Sequence, residues 1–118
     1  MRRQIQGPED FDGAVREEIG ISSEFGIPLC ALSVRLPGGP DVELTRLLLD
    51  EIRAADPVTA VSPDELAIVL PNTPPGDARL VAERLLAVAP GAEIGEAFHE
   101  PGDTPETLLG RARRGSAG

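Results

Sequence analysis

Residues 53–84 read RAADPVTAVSPDELAIVLPNTPPGDARLVAER, and the fold is decided in this stretch. Residues 57–61 and 65–70 are two short runs of branched and apolar side chains, of strand length. Ser62-Pro63-Asp64-Glu65 between them is a tight turn, so the pair predicts a β-hairpin. Pro71 closes its second strand. Thr73 followed by Pro74 reads as a helix N-cap with proline in the first turn. The helix that follows places Ala78, Val81, Ala82, Leu85, Leu86 and Ala89 on one face, and Pro90-Gly91 ends it.

Working upstream, Asp41 caps a helix carrying Val42, Leu44, Leu47, Leu48 and Ile52, which ends before Pro57. Residues 27–36 are nearly all apolar and suit a central strand, stopped by Pro37-Gly38-Gly39-Pro40. Residues 8–23 hold Phe11, Ala14, Val15, Ile19 and Ser22 at helical spacing, weakened by Gly13 and Gly20. Downstream, residues 92–98 form a last short strand. Asp103 and Glu106 have capping-box spacing around Pro105 and open a helix with Leu108 and Leu109. Arg111, Arg113 and Arg114 suit its C-terminal end, and residues 115–118 are expected to fray.

From residue 27 onward the order is β-α-β-β-α-β, with a helix before and a helix after. This is the ferredoxin-like arrangement of an α+β domain, and 118 residues suit one such domain. The arrangement hosts many unrelated activities, so function rests on particular residues.

Composition narrows the field. The formal net charge of −9 repels phosphate backbones and anionic lipid, so nucleic acid and membranes are poor partners. All 11 basic residues are Arg, which removes any lysine-dependent chemistry. Cys30, the only cysteine, lies in the apolar run and reads as a buried thiol. One cysteine and one histidine cannot build a Cys/His zinc site, and His99 reads as an exposed loop residue. No membrane-length apolar run or signal-peptide core is present, so the chain reads as cytoplasmic. Abundant Ala, Arg, Gly and Pro without Lys points to a high-GC bacterial source.

The 53–84 stretch carries more than a fold. An Arg-x-x-Asp, a strand, the turn Ser62-Pro63-Asp64-Glu65-Leu66, a strand ending in Leu-Pro-x-Thr and a helix with Ala-x-x-x-Ala-Glu-Arg follow one another. This succession resembles the central segment of GGDEF (diguanylate cyclase) domains, with Leu66 where the signature has Phe. Phe11 onward through Gly26-Ile27-Pro28-Leu29 resembles the family's first helix and strand, and Ile94-Gly95 its Ser-Ile-Gly strand. Residues 108–115 are a faint echo of its last helix.

The resemblance implies a domain of a family that cyclises GTP to cyclic di-GMP across a dimer, here degenerate. The signature glycines that let backbone approach nucleotide are Ser62 and Pro63. The metal-binding aspartate closing the first strand is replaced by Arg35, Leu36 and Pro37, and a cation repels Mg²⁺. The phosphate-contacting lysine is missing, as is the Phe-Lys-x-x-Asn-Asp helix that 37–40 bypasses. Asp64 and Glu65 alone cannot organise two-metal chemistry, so no catalytic residue, metal or cofactor is expected.

The family's inhibitory product site does have counterparts. Arg53 and Asp56 stand at its spacing before the turn, Arg84 falls where a further arginine completes it, and Arg79 is expected to add charge. Guanidinium groups grip phosphate and guanine, and a carboxylate accepts guanine N–H groups. The local alternative is an Arg53–Asp56 ion pair capping the helix end before Pro57. Solvated readings stand beside the others: Asp64 and Glu65 in an open turn, and Arg111, Arg113 and Arg114 on an open helix end. Two functions follow: a receptor for cyclic di-GMP, or for GTP, or a ligand-free module contacting a protein partner or a second copy. Residual cyclase activity is the third and is not expected. Met1 stands just before the first helix, which fits a short stand-alone protein, whereas family members often join an upstream sensor there.

Overall fold

A strand buried on both faces needs apolar side chains at nearly every position, and residues 29–34 supply them. The computed structural model describes residues 5–115. Its elements are α1 (Pro8–Phe25), β1 (Leu29–Arg35), α2 (Val42–Asp50), β2 (Val58–Ser62), β3 (Glu65–Pro71), α3 (Pro75–Val88), β4 (Glu93–Phe98) and α4 (Pro105–Gly115). The strands form one antiparallel sheet in the order β2-β3-β1-β4, the expected ferredoxin-like topology. Every residue of β1 from Leu29 to Val34 is buried.

Alternation along β1 divides the core in two. Cys30, Leu32 and Val34 join Leu48 of α2 and Ala78 and Leu85 of α3 on one face. Leu29 and Ala31 meet Phe11 and Val15 of α1 and Leu108 and Ala112 of α4 on the other. Three of the sheet residues on that second face are alanines (Ala31, Ala67, Ala97), which lets two helices lie close upon it. The added terminal helices therefore make a three-layer sandwich. Burial pushes the Cys30 thiol up to about 12, with the Glu96 charge adding to it, so this thiol is inert.

The helix ends follow the sequence reading in some places and depart from it in others. Asp41 accepts from Leu44 N (2.7 Å) as expected, but α2 stops at Asp50 and residues beyond it turn toward β2. Gly26, at φ +67°, closes α1 through a bond to Ser22 O. Thr73 is not the cap of α3. Pro74 occupies that position and offers no side-chain bond, while Thr73 is buried. Leu86 is exposed, because it lies about 100° round the helix from the buried Leu85, and Val88 packs inward instead. Fraying expected at 115–118 falls, beyond Gly115, outside the described residues.

At α4 the sequence reading is corrected twice. Thr104, rather than Asp103, caps the helix by accepting from Thr107 N (3.3 Å). Asp103 instead receives Arg111 at 2.6 and 2.8 Å, and Arg111 also donates to Phe98 O (2.7 Å). Arg111 is thus no solvated helix end; it ties α4 to the loop leaving β4. The Arg111 guanidinium holds the Asp103 carboxyl well below the usual carboxylate range, against the opposing effect of burial.

The β1–α2 loop lies on the hairpin turn. Leu36 N donates to Asp64 O (2.7 Å), and Gly39 N donates back to Leu36 O (2.7 Å). Gly39 has φ +77°, and a Cβ there would stand 2.9 Å from Pro63 O. Only glycine fits, both for the dihedral and for the contact.

Two measurements test this frame. Gly39→Ala is expected to lose about 1–3 kcal/mol in urea denaturation, more than Gly38→Ala, whose added Cβ meets nothing. Asp103 has a lowered folded-state pKa, so its stabilisation is complete above the ordinary carboxylate range (about pH 4) and fades as pH falls through the folded value. Asp103→Asn is therefore expected to be less stable at neutral pH and to show a flatter acid limb than the wild type.

Candidate functional site

The hairpin turn carries Ser62 to Leu66, the residues expected from the sequence at the signature position. Ser62 Oγ donates to Asp64 Oδ1 (2.8 Å) across the tip, and both side chains lie at the surface. A bulge between Ala60 and Ser62 turns Val61 outward, while Leu66 sits in the core. Glu65 departs from the solvated reading. It is only 5% exposed, because β3 points it at the face covered by α4. Its Oε2 accepts from Ser33 Oγ (3.1 Å) and from Arg113 Nε (2.9 Å). Arg113 therefore holds a buried carboxylate, and Arg114 alone of the three C-terminal arginines fits the solvated reading. Arg35 ends β1 opposite Glu65 in register and lies 3.7 Å from Glu93. Among the described residues, no cluster of three or more His, Cys, Asp or Glu side chains is placed to hold a metal ion.

The second constellation is built where α2 unwinds. Asp56 turns back on the chain and accepts from Arg53 N at 2.8 Å, closing a three-residue turn. Its other oxygen faces the Arg53 guanidinium, with Nη2 at 3.0 Å. The same Nη2 donates to Pro71 O (2.6 Å) and Thr73 Oγ1 (2.9 Å), which fastens this turn to the exit of β3. Asp56 is 1% exposed, whereas the Arg53 side chain keeps 55% of its surface in solvent. Thr73 and Pro71 were invisible as partners from sequence, since they belong to the site only through the fold.

Arg84 joins from α3, donating to Glu51 O (3.1 Å) with Nε 3.4 Å from the Glu51 carboxylate. Arg53, Asp56 and Arg84 line one cleft of about 230 Å³, together with Asn72, Thr73 and Asp77. The structure thus brings three of the four expected residues together. Arg79 is not among them. It is five residues before Arg84, about 140° round α3, and lines a separate groove with Leu86 and Glu96.

His99 also differs from expectation: it is half-buried, with Nδ1 3.1 Å from Ser22 Oγ and Nε2 3.4 Å from Ser23 Oγ. Among the described residues no helix is long and apolar enough to cross a membrane.

No protein-family model matches this chain, and no curated protein matches it. Solved structures do. The GGDEF domain of YfiN (TpbB) from Pseudomonas aeruginosa is similar with a TM-score of 0.83 at 20% identity, covering 97% of this chain and 89% of that one. The diguanylate cyclase SiaD from Pseudomonas aeruginosa, solved with its activator SiaC, gives 0.83 at 20% identity over 98% of this chain and 58% of that chain. The GGDEF domain of DgcB from Caulobacter crescentus, solved with cyclic di-GMP, gives 0.79 at 14% over 99% and 86%. At these identities the likeness is one of architecture, and the chain has the fold of a GGDEF domain.

Proposed function

We propose that this chain is a degenerate GGDEF-fold domain that does not cyclise GTP and acts as a contact module for a protein partner or a second copy. The observation that supports silence toward GTP is the enclosure of Glu65 at the hairpin turn. A nucleotide needs close backbone approach and open carboxylates for its metal ions. Here the 37–40 loop packs on Pro63, and Glu65 is enclosed by Ser33 and Arg113. Arg35 adds a cation at the strand end where the resemblance calls for a metal ligand.

Burial of Asp56 favours a protein contact over a nucleotide receptor. Both of its oxygens already accept from Arg53, so guanine N–H groups have no open acceptor there. A carboxylate placed this way locks the chain. Receipt of cyclic di-GMP remains the second reading, favoured by the cleft in which the half-exposed Arg53 and Arg84 converge. The two relatives solved with an activator and with cyclic di-GMP illustrate one occupant each. A cytoplasmic location fits either reading.

Calorimetric titration with GTP and Mg²⁺, and then with cyclic di-GMP, separates them. We expect no heat and no GTP consumption in the first titration, and no micromolar binding in the second. Micromolar affinity for cyclic di-GMP that disappears in Arg84→Ala would replace the contact reading with the receptor. Turnover of GTP would overturn both. As an independent check, Arg53→Ala is expected to lower stability by about 2–3 kcal/mol in urea, since it strands a buried carboxylate. A residue serving only a ligand would leave the denaturation midpoint where it was.

A further inference from the structure

A cleft of about 570 Å³ opens between the end of α1, the entry to β1 and the loop after β4. Its volume lies within the range of small-molecule sites. Ile27, Pro28, Phe98 and Pro101 give it apolar walls, and Ser22, Ser23 and His99 form one polar side. The ring of His99 is held at both nitrogens, and its backbone is held by a bond from His99 N to Leu29 O (2.9 Å).

The hydrogen-bond chain fixes the tautomer. Ser22 Oγ donates its proton to Ile27 O at 2.5 Å, so it faces His99 Nδ1 as an acceptor. Nδ1 must then carry the ring proton. The lone pair is left on Nε2, which stands 3.4 Å from the exposed Ser23 Oγ. A hydroxyl, an imidazole nitrogen with a free pair, and a third group orienting the ring are the parts of an activated serine nucleophile. Spacing between such groups is often looser before a substrate is bound.

We propose that Ser23 is a nucleophile activated by His99, with Ser22 as the positioning residue, and that the cleft takes the acyl part of a small uncharged carboxylic ester. Apolar walls and a net charge of −9 both disfavour an anionic substrate. Ser23 Oγ bonds to the acyl carbon and its proton passes to His99 Nε2. The ester's alkoxide leaves, taking that proton. Water then gives a proton to Nε2 and adds to the acyl carbon, and the carboxylic acid departs as Ser23 regains its proton. This inference is independent of what the Arg53 cleft or the hairpin turn binds.

The test is reaction of the whole chain with p-nitrophenyl butyrate. A stoichiometric burst of p-nitrophenol is expected, with one butyryl group located on Ser23 by fragmentation mass spectrometry. His99→Gln is expected to slow acylation by about 10²-fold. Should that variant misfold, Ser23→Ala keeps the Ser22–His99 contact and is expected to lose the adduct with an unchanged melting midpoint. No burst, an acyl group on another residue, or a folded His99→Gln reacting at the wild-type rate overturns the proposal.

Discussion

Hydrogen bonding of β1 along both edges is the constraint from which the rest of the molecule follows. A strand with β3 on one side and β4 on the other has no solvated edge, so its backbone groups must pair within the sheet. With helices on both faces as well, it has no solvated side chains until Arg35. Its length and register then set where the hairpin turn, the β1–α2 loop and the loop after β4 emerge. The hairpin turn and the His99 cleft sit at opposite ends of this one strand, just past Arg35 and at Leu29 respectively.

Arginine does the fastening around this frame. Arg53 joins the end of α2 to the exit of β3, Arg111 joins α4 to the β4 loop, and Arg113 reaches Glu65 at the start of β3. Each guanidinium meets a carboxylate that is nearly buried: Asp56, Asp103 and Glu65. The planar, forked donor set suits this task, because one side chain can satisfy a carboxylate and a backbone carbonyl together. In this chain these arginines and carboxylates face one another across element boundaries.

The architecture was legible because it is written in local signals. The near-continuous apolar run at 27–36, the hairpin turn at Ser62-Pro63, and Asp41 ahead of an amphipathic stretch all reported their own structure. The candidate cleft was legible only in part. Arg53, Asp56 and Arg84 were singled out through the family resemblance, and the alternative of a local Arg53–Asp56 pair was also visible, since three residues suffice to close that turn. What could not be read was contact across distance. Glu65 next to a turn looks solvated until α4 is laid over it, and Thr73 looks like a cap until Arg53 arrives from the turn that follows α2. His99, a loop residue as expected, looks exposed until the end of α1 is folded against it. Arg79 failed for a different reason: helical phase separates it from Arg84 although the two are close in sequence.

The two borders of the sheet are unlike one another. Beyond β2, Gln6 N donates to Val58 O and Thr59 Oγ1 donates to Gln6 O, so a short piece of chain already occupies that border. Among the described residues the border at β4 has no further strand, and it carries Glu93 and Glu96. A second sheet approaching edge to edge would bring acidic groups against acidic groups, which discourages uncontrolled strand addition. Borders guarded in this way discourage the edge-to-edge stacking of one copy on another.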